Sequence, residues 1–397
     1  MKLLYISTFL FHVEGEKKLG LPANADSFFQ KYLDVFDEVR VLGDPVKIYL
    51  DESSMVPMTD RRISVRVLPP NTSPGQWKND RVVRKILQEE ISRAEAILIK
   101  PSTRKGIMAE QIAERMHKPY MIEMTGDIHN ALLQSPNWLK RMYAPILYRQ
   151  ICRQMRHCKF GLYVSQDYLQ GKYPVDGEMC GCSDVILEPA EDEILLRRYD
   201  KIDYLTQKGR VDIALIGFYQ GLMKGCDTAI RALAQLPECF HLNILGNGTE
   251  ENRHKWLKYG EERGITGRIH FPTPLPTSHD VLEWLDTQDY FVLPTLSEGF
   301  GRCVAEAMSR GCVCFATDIC TMPELLPQEC LFPKKDDASL ALMLKKAYDN
   351  PEKMKELARI NFEHSKDYDF EVLRERRNAF LMRFRTYCES FKSGNNK

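Results

Sequence analysis

Glu298 and Glu306 lie eight residues apart in the stretch "TLSEGFGRCVAEAMSRG" (295–311). The apolar run "YFVLP" (290–294) reads as a strand, and "RCVAEAMSR" reads as a helix stopped at Gly311. Between them lies a Gly-Phe-Gly turn. The first N–H groups of such a helix have no intrahelical acceptor, and its dipole favours negative charge there. Gly299 and Gly301 would let backbone amides approach a ligand closely. Helical side chains tilt toward the N-terminus, so Glu306 reaches back over the first turn, while Glu298 projects from the loop before it. Two carboxylates around a phosphate turn suit a ligand with hydroxyl groups on both sides of its phosphates, such as a nucleotide-sugar. The plain alternative is an ordinary helix start, with Glu298 favouring the dipole and Glu306 paired to Arg302 at i, i+4.

The elements that must hold these residues alternate between strand and helix patterns. In the first half the strands read as 2–7, 38–43, 94–100, 119–124 and 160–165, with helical patterns at 25–36 and 82–93. In the second half they read as 211–217, 240–246, 268–271, 290–294 and 312–317. This alternation predicts an α/β protein of βαβ units, with two Rossmann-like doubly wound domains facing across a cleft. The polar stretch 197–210 marks the boundary. The expected domains are 1–200, 201–368 and a terminal helix 369–392 that crosses back to the first, with Phe370, Leu373, Phe380, Leu381 and Phe384 as its buried stripe. Arg374, Glu375, Arg376 and Arg377 are expected on its flanks and wet side, and "SGNNK" (393–397) is expected to be disordered. Ligands of such sheets sit beyond the carboxyl ends of the strands, where the loop after 290–294 lies.

The 397 residues carry a formal net charge of +0, which argues against a dominant nucleic-acid footprint and leaves a local basic patch open. Twelve cysteines without a regular spacing favour a reduced cytoplasm over a disulfide framework or a zinc site. "MKLLYISTFLF" is too short for a signal peptide and reads as a buried strand. With no run of roughly 18 apolar residues, the protein reads as soluble or peripheral.

The segment 294–326 resembles the E-x7-E region of retaining glycosyltransferases of family 4, which have a GT-B fold. Upstream, "IGFYQGLMKGCDTAIRAL" (216–233), "LNILGNGTEE" (242–251) and 269–294 are similar to that family's elements in the same order. In the first half only "EMTGDIHN" (123–130) and "VSQDYLQGKYP" (164–174) follow the pattern. The resemblance implies transfer of a sugar from a nucleoside diphosphate sugar to a glycan or lipid-linked acceptor, with retained configuration and no metal or resident cofactor. It implies that Glu306 binds the ribose, Glu298 meets the donor sugar, and Lys224 neutralises the diphosphate. The amides of Gly299, Phe300, Gly301 and Arg302 hold sugar and phosphates, Gly217 lies at the nucleotide, and His129 lies near the donor sugar. Two positions depart from the family: Tyr219 stands where an arginine is common, with Arg302 or Lys105 as replacement cations, and Pro272-Thr273-Pro274 stands where a glycine is usual. A nucleotide-sugar epimerase or hydrolase of the same fold is the first alternative, and a non-catalytic nucleotide-sugar binder is the second.

Other residues carry weaker signals. Asp127 follows a strand, beside His129. Gly15 and Gly20 lie in an expected long loop with His12, Lys17 and Lys18, which resembles the family's mobile glycine loop. "DYD" (367–369) has metal-ligand spacing but reads as a helix cap at Asp369. Cys312 and Cys314 read as core. Arg141, Arg149, Arg153, Arg156 and Lys159 read as a solvated face, with an acidic membrane surface as the functional alternative.

Overall fold

The structure, a computed structural model, describes residues 1–21, 25–46 and 55–394. The chain divides into two compact units. The first holds Met1–His129, Met142–Cys182 and Arg374–Lys397, and the second holds Asn130–Arg141 and Ser183–Leu373.

The first unit is built on a nine-stranded sheet: β1 (Lys2–Glu14), β2 (Lys17–Gly20), β3 (Glu38–Pro45), β4 (Val56–Pro57), β5 (Ile63–Val67), β6 (Ala96–Ile99), β7 (Tyr120–Met124), β8 (Phe160–Tyr163) and β9 (Glu178–Gly181). Its parallel core runs β5–β3–β1–β6–β7–β8–β9. All residues of β6 and β7 are buried, as expected where helices cover both faces of a parallel sheet. The second unit holds six parallel strands: β10 (Val211–Ile216), β11 (Phe240–Leu245), β12 (Ile269–His270), β13 (Tyr290–Leu293), β14 (Val313–Thr317) and β15 (Leu331–Phe332), in the order β12–β11–β10–β13–β14–β15. In both sheets the order reverses beside the unit's first strand. That is doubly wound topology, and it opens a crevice beyond the carboxyl ends of the two strands at the reversal.

Three expectations are corrected. The segment expected as a long loop after β1 is a hairpin: β1 runs on to Glu14, turns at Gly15 (φ 58°) and pairs antiparallel with β2. Lys18 there donates to the Ile63 carbonyl at 2.8 Å, and Gly20 pairs with Phe11, so both are structural. The boundary expected at 200/201 falls at 182/183. The helix Asp192–Asp203 is polar in sequence, yet its Arg198 is 4% exposed and donates to the carbonyls of Arg310 (3.1 Å), Gln288 and Leu285 (3.2 Å). These carbonyls sit at the ends of the helices Ser278–Thr287 and Arg302–Ser309, where the last turn lacks donors. One guanidinium therefore closes two helix C-termini and binds its helix to the second unit.

The third correction concerns the terminal helix, Phe370–Gly394. Leu373, Phe380, Leu381, Phe384 and Cys388 are at most 1% exposed, but Phe370, expected in the stripe, is 41% exposed. Arg377, expected on the wet side, is buried, because it lies four residues beyond Leu373 and shares its face. Within the first unit, Phe384 packs on Phe160 at 5.4 Å and Phe36 at 6.5 Å between ring centroids. Ser393 and Gly394, expected to be disordered, are helical, and 395–397 lie outside the described residues.

Candidate active site

The opening residues meet in the second unit at the reversal of its sheet. β10 leads into Gly217, and β13 leads through Pro294 into the loop carrying Glu298. The two loops are stitched together by backbone. Leu296 N–H donates to the Met223 carbonyl at 2.8 Å, and the buried Thr295 hydroxyl is 2.9 Å from the same oxygen. Gly225 has φ 72°, and a Cβ there would stand 1.8 Å from the Pro294 oxygen. Only glycine allows so close a passage. Lys224 is thereby swung toward β13, and its stem lies on Gly217, where a Cβ would meet Lys224 Cγ at 2.7 Å.

At the end of that stem the Lys224 ammonium donates to Glu298 Oε2 at 2.5 Å. Burial pulls the ammonium's pKa down, but the Glu298 carboxylate outweighs it and the net shift is upward. The helix Arg302–Ser309 starts from Gly301 at φ 95°, where a Cβ would also stand 2.5 Å from Met322 Cε. Val304 N–H turns back to the Gly301 carbonyl, which leaves the N–H groups of Arg302 and Cys303 without an intrahelical acceptor. Gly299 N–H donates to Glu298 Oε1 at 3.3 Å.

Glu306 lies on this helix half-buried, and its carboxylate takes no hydrogen bond and no ion pair among the described residues. Burial pushes its pKa up, and Arg302 only partly offsets that. The expected plain alternative, an Arg302–Glu306 ion pair, is not formed; Arg302 is exposed. A desolvated carboxylate without a protein donor is costly to keep, and a ligand hydroxyl would relieve it. Phe300 is placed otherwise than a ligand-facing side chain would be: it is 5% exposed and packs on Tyr368 at 5.2 Å, so only its backbone is offered to the turn.

Tyr219 is turned into the packing of the second unit. It is 8% exposed, packs edge-on against Phe271 at 4.9 Å, and fills the space over Gly248, where a Cβ would meet its ring at 2.0 Å. Its carbonyl accepts from Trp256 Nε1 at 2.8 Å. Lys105 is buried against Asp44 in the first unit and is committed there. Of the two cations expected to replace the family arginine, Arg302 remains beside the turn.

His129 belongs to the first unit. Its ring lies 4.8 Å from Tyr148, its Nδ1 is buried without a hydrogen-bond partner among the described residues, and burial followed by Lys172 holds its pKa below the usual value. Asp127 beside it is buried and accepts from Tyr168 (2.6 Å), Lys172 (2.6 Å) and Tyr173 (2.7 Å). The imidazole therefore sits in an aromatic setting that disfavours its charged form. Asp369 precedes the terminal helix, but its Oδ1 has no hydrogen-bond partner among the described residues. All twelve cysteines are free thiols, with Cys312 and Cys314 in the core. Gly246 lies in the stretch 242–251 that the sequence singled out, and a Cβ there would stand 2.2 Å from the Gly217 oxygen; Thr295 and Tyr368 also support the site and were not read as site residues.

Residues 217–364 match the family model "Glycosyl transferases group 1". The fold is GT-B. Anabaena HepE, solved with UDP and glucose, has a TM-score of 0.66 at 16% identity, over 96% of this chain and 99% of that one. WaaG, a glycosyltransferase involved in lipopolysaccharide biosynthesis, has a TM-score of 0.62 at 15% identity, over 95% and 98%. Protein CapJ of Staphylococcus aureus is 22% identical over 371 residues, 91% of this chain and 90% of that protein. The O-antigen biosynthesis glycosyltransferase WclY of Escherichia coli is 30% identical over 118 residues, 30% of this chain and 32% of that protein. The matched segment thus carries the glycosyltransferase pattern and contains Gly217, Lys224, Glu298 and Glu306. Among the described residues no helix is long and apolar enough to cross a membrane.

Proposed function

We propose that this protein is a retaining glycosyltransferase that moves a sugar from a nucleoside diphosphate sugar to an acceptor hydroxyl, in the assembly of a surface polysaccharide. The observation that carries this reading is the constellation beyond β10 and β13: a Lys224–Glu298 pair, a glycine turn that opens a helix, and a partnerless Glu306 on that helix. Lys224 and the amides of Gly299 to Arg302 take the diphosphate, with Arg302 as the second cation. Charge on the leaving diphosphate grows as the sugar bond breaks, so Lys224 favours the transition state over the ground state. Glu298 meets the donor sugar and Glu306 the ribose hydroxyls. The family resemblance adds His129 at the donor sugar. It also adds front-side attack, in which the leaving phosphate takes the acceptor proton.

No metal or resident cofactor is needed in this scheme, because lysine and helix amides carry the phosphate charge. The named relatives in capsule and O-antigen assembly favour a glycan or lipid-linked acceptor. A lipid-linked acceptor would bring the protein to a membrane face, and a nucleotide-sugar donor with free thiols favours the cytoplasmic side. The test is incubation with a panel of nucleotide sugars, with and without acceptor glycans, in the presence of EDTA. Nucleoside diphosphate released only with acceptor, and a product of retained configuration, supports the reading. Inversion, or activity that needs added manganese, overturns the mechanism. An epimer formed without release, or binding without turnover, replaces transfer by the epimerase or the binder.

A further inference from the structure

The sheet of the first unit reverses between β1 and β6, and a second cluster of charge gathers there. Lys100 is the residue after β6, and its N–H donates to the Ile6 carbonyl of β1 at 3.1 Å. Glu123 lies near the end of the neighbouring strand β7 and is 2% exposed. Its two oxygens accept from the hydroxyls of Tyr5 (2.7 Å) and Tyr32 (2.5 Å). With both oxygens bonded, the lysines stand off at ion-pair distance, Lys100 at 3.6 Å and Lys31 at 3.8 Å. The cluster thus sets two ammoniums against one carboxylate. Lys31 belongs to the helix Asp26–Leu33, which also carries Phe28 and Tyr32.

Lys100 is the member left short. Its side chain is 12% exposed, its ammonium lies 4.5 Å from the centre of the Phe9 ring, and it donates no hydrogen bond among the described residues. The ring and the carboxylate offset part of the loss of water. The three N–H groups of the ammonium still need acceptors, and withdrawing them from water without any is costly. Neutralising Glu123 does not explain Lys100, because two hydroxyls and Lys31 already serve that carboxylate. The oxygens of a phosphate or carboxylate would fill the empty N–H groups and balance the surplus charge. Phe9 and Phe28, edge to face at 5.0 Å and both half-buried, form an apolar wall beside the ammonium.

We propose that Lys100, with Lys31 beside it, holds an anionic group of the acceptor, a phosphate or carboxylate carried by a sugar, while Tyr5, Tyr32 and Glu123 position the two ammoniums. The inference rests on the glycosyltransferase reading: Lys224, Glu298 and Glu306 take the donor in the second unit, which leaves the crevice of the first unit to the acceptor. The test is equilibrium dialysis of the full-length protein against glucose, glucuronate and glucose 6-phosphate. At least one of the anionic sugars should bind more tightly than glucose, and which one does so names carboxylate or phosphate as the source of the charge. That binding should fall roughly tenfold or more in Lys100→Met, which keeps an unbranched stem beside Phe9, and should partly persist in Lys100→Arg. Circular dichroism and nucleotide affinity of Lys100→Met should match the parent. Lys31→Met should weaken the binding too, and it reads the same site if Lys100→Met unfolds. Lys224→Ala should leave the binding as it is. Neither anion bound, glucose bound as tightly as both, or full binding in Lys100→Met and Lys31→Met would overturn the proposal. So would binding that Lys224→Ala abolishes, since the anion would then sit at the diphosphate turn. Binding that depends on Lys100, in a protein that transfers no sugar from any nucleotide sugar, would keep the anion site and reject the glycosyltransferase reading instead.

Discussion

Glu306 sits where the fold tolerates a carboxylate at a cost. Its folded-state pKa is raised by burial, so folding binds its proton more tightly than the unfolded chain does. Stability from this residue is full below the unfolded pKa, about 4.3, and is lost as pH rises through the folded pKa. Glu306→Gln should therefore raise the melting temperature at pH 7, with the gain shrinking toward pH 4. The same change should weaken nucleoside diphosphate binding by about 1.5–3 kcal/mol if the carboxylate holds the ribose. Calorimetry across pH and a binding titration read the two effects separately. Lys224→Ala should lower turnover by roughly 10²-fold, and Lys224→Arg should restore only part of it, because a broad planar guanidinium does not replace a compact ammonium beside Glu298. Wild-type turnover in the alanine variant would show that another cation holds the phosphates. The placement of Glu298, Glu306 and Lys224 around one turn was legible because they stand in glycine-punctuated stretches. The place of Tyr219 was not: its type excludes a phosphate cation, but nothing in the sequence pairs it with Gly248 and Phe271.

Elements position these side chains through close backbone passages more than through side-chain contacts. The passage of Gly225 under Pro294 sets where Lys224 points. Gly225→Ala would need a left-handed backbone and would collide with a carbonyl oxygen, at about 1–3 kcal/mol of strain. Its expected signature is a lower denaturant midpoint together with a loss of turnover, whereas an equal change at the exposed Gly264 should leave turnover alone. Arg198→Ala leaves the carbonyls of Leu285, Gln288 and Arg310 without this donor and should cost about 3 kcal/mol. Urea denaturation followed in the second unit measures it. Strand existence was readable from continuous apolar runs such as those of β6, β10 and β13. The hairpin partner β2 was not, because "KKLG" has neither alternation nor apolar length. The helix Asp192–Asp203 was misassigned for a related reason: polar composition looks like a linker until its arginine is seen closing other helices.

Across the whole molecule, four points divide the chain between units, after residues 129, 141, 182 and 373. Removing the residues from Arg374 on should strip Phe380 from Phe160 and Phe384 from Phe36 and Phe160. The expected outcome is a lower melting temperature for the first unit and binding of a hydrophobic dye, with nucleotide affinity of the second unit largely kept. A truncated chain that melts like the parent would show the terminal helix to be dispensable. The interleaving also sets an order of maturation. Domains form as units as the chain emerges during synthesis, yet here the unit that is begun first is finished last. Its aromatic surface at Phe160 must wait while the ribosome adds the whole of 183–373 before the covering helix exists. During that interval the nascent chain presents an open apolar face to chaperones and proteases. Translation that stalls after residue 373 would leave a second unit with all its segments beside a first unit marked for degradation.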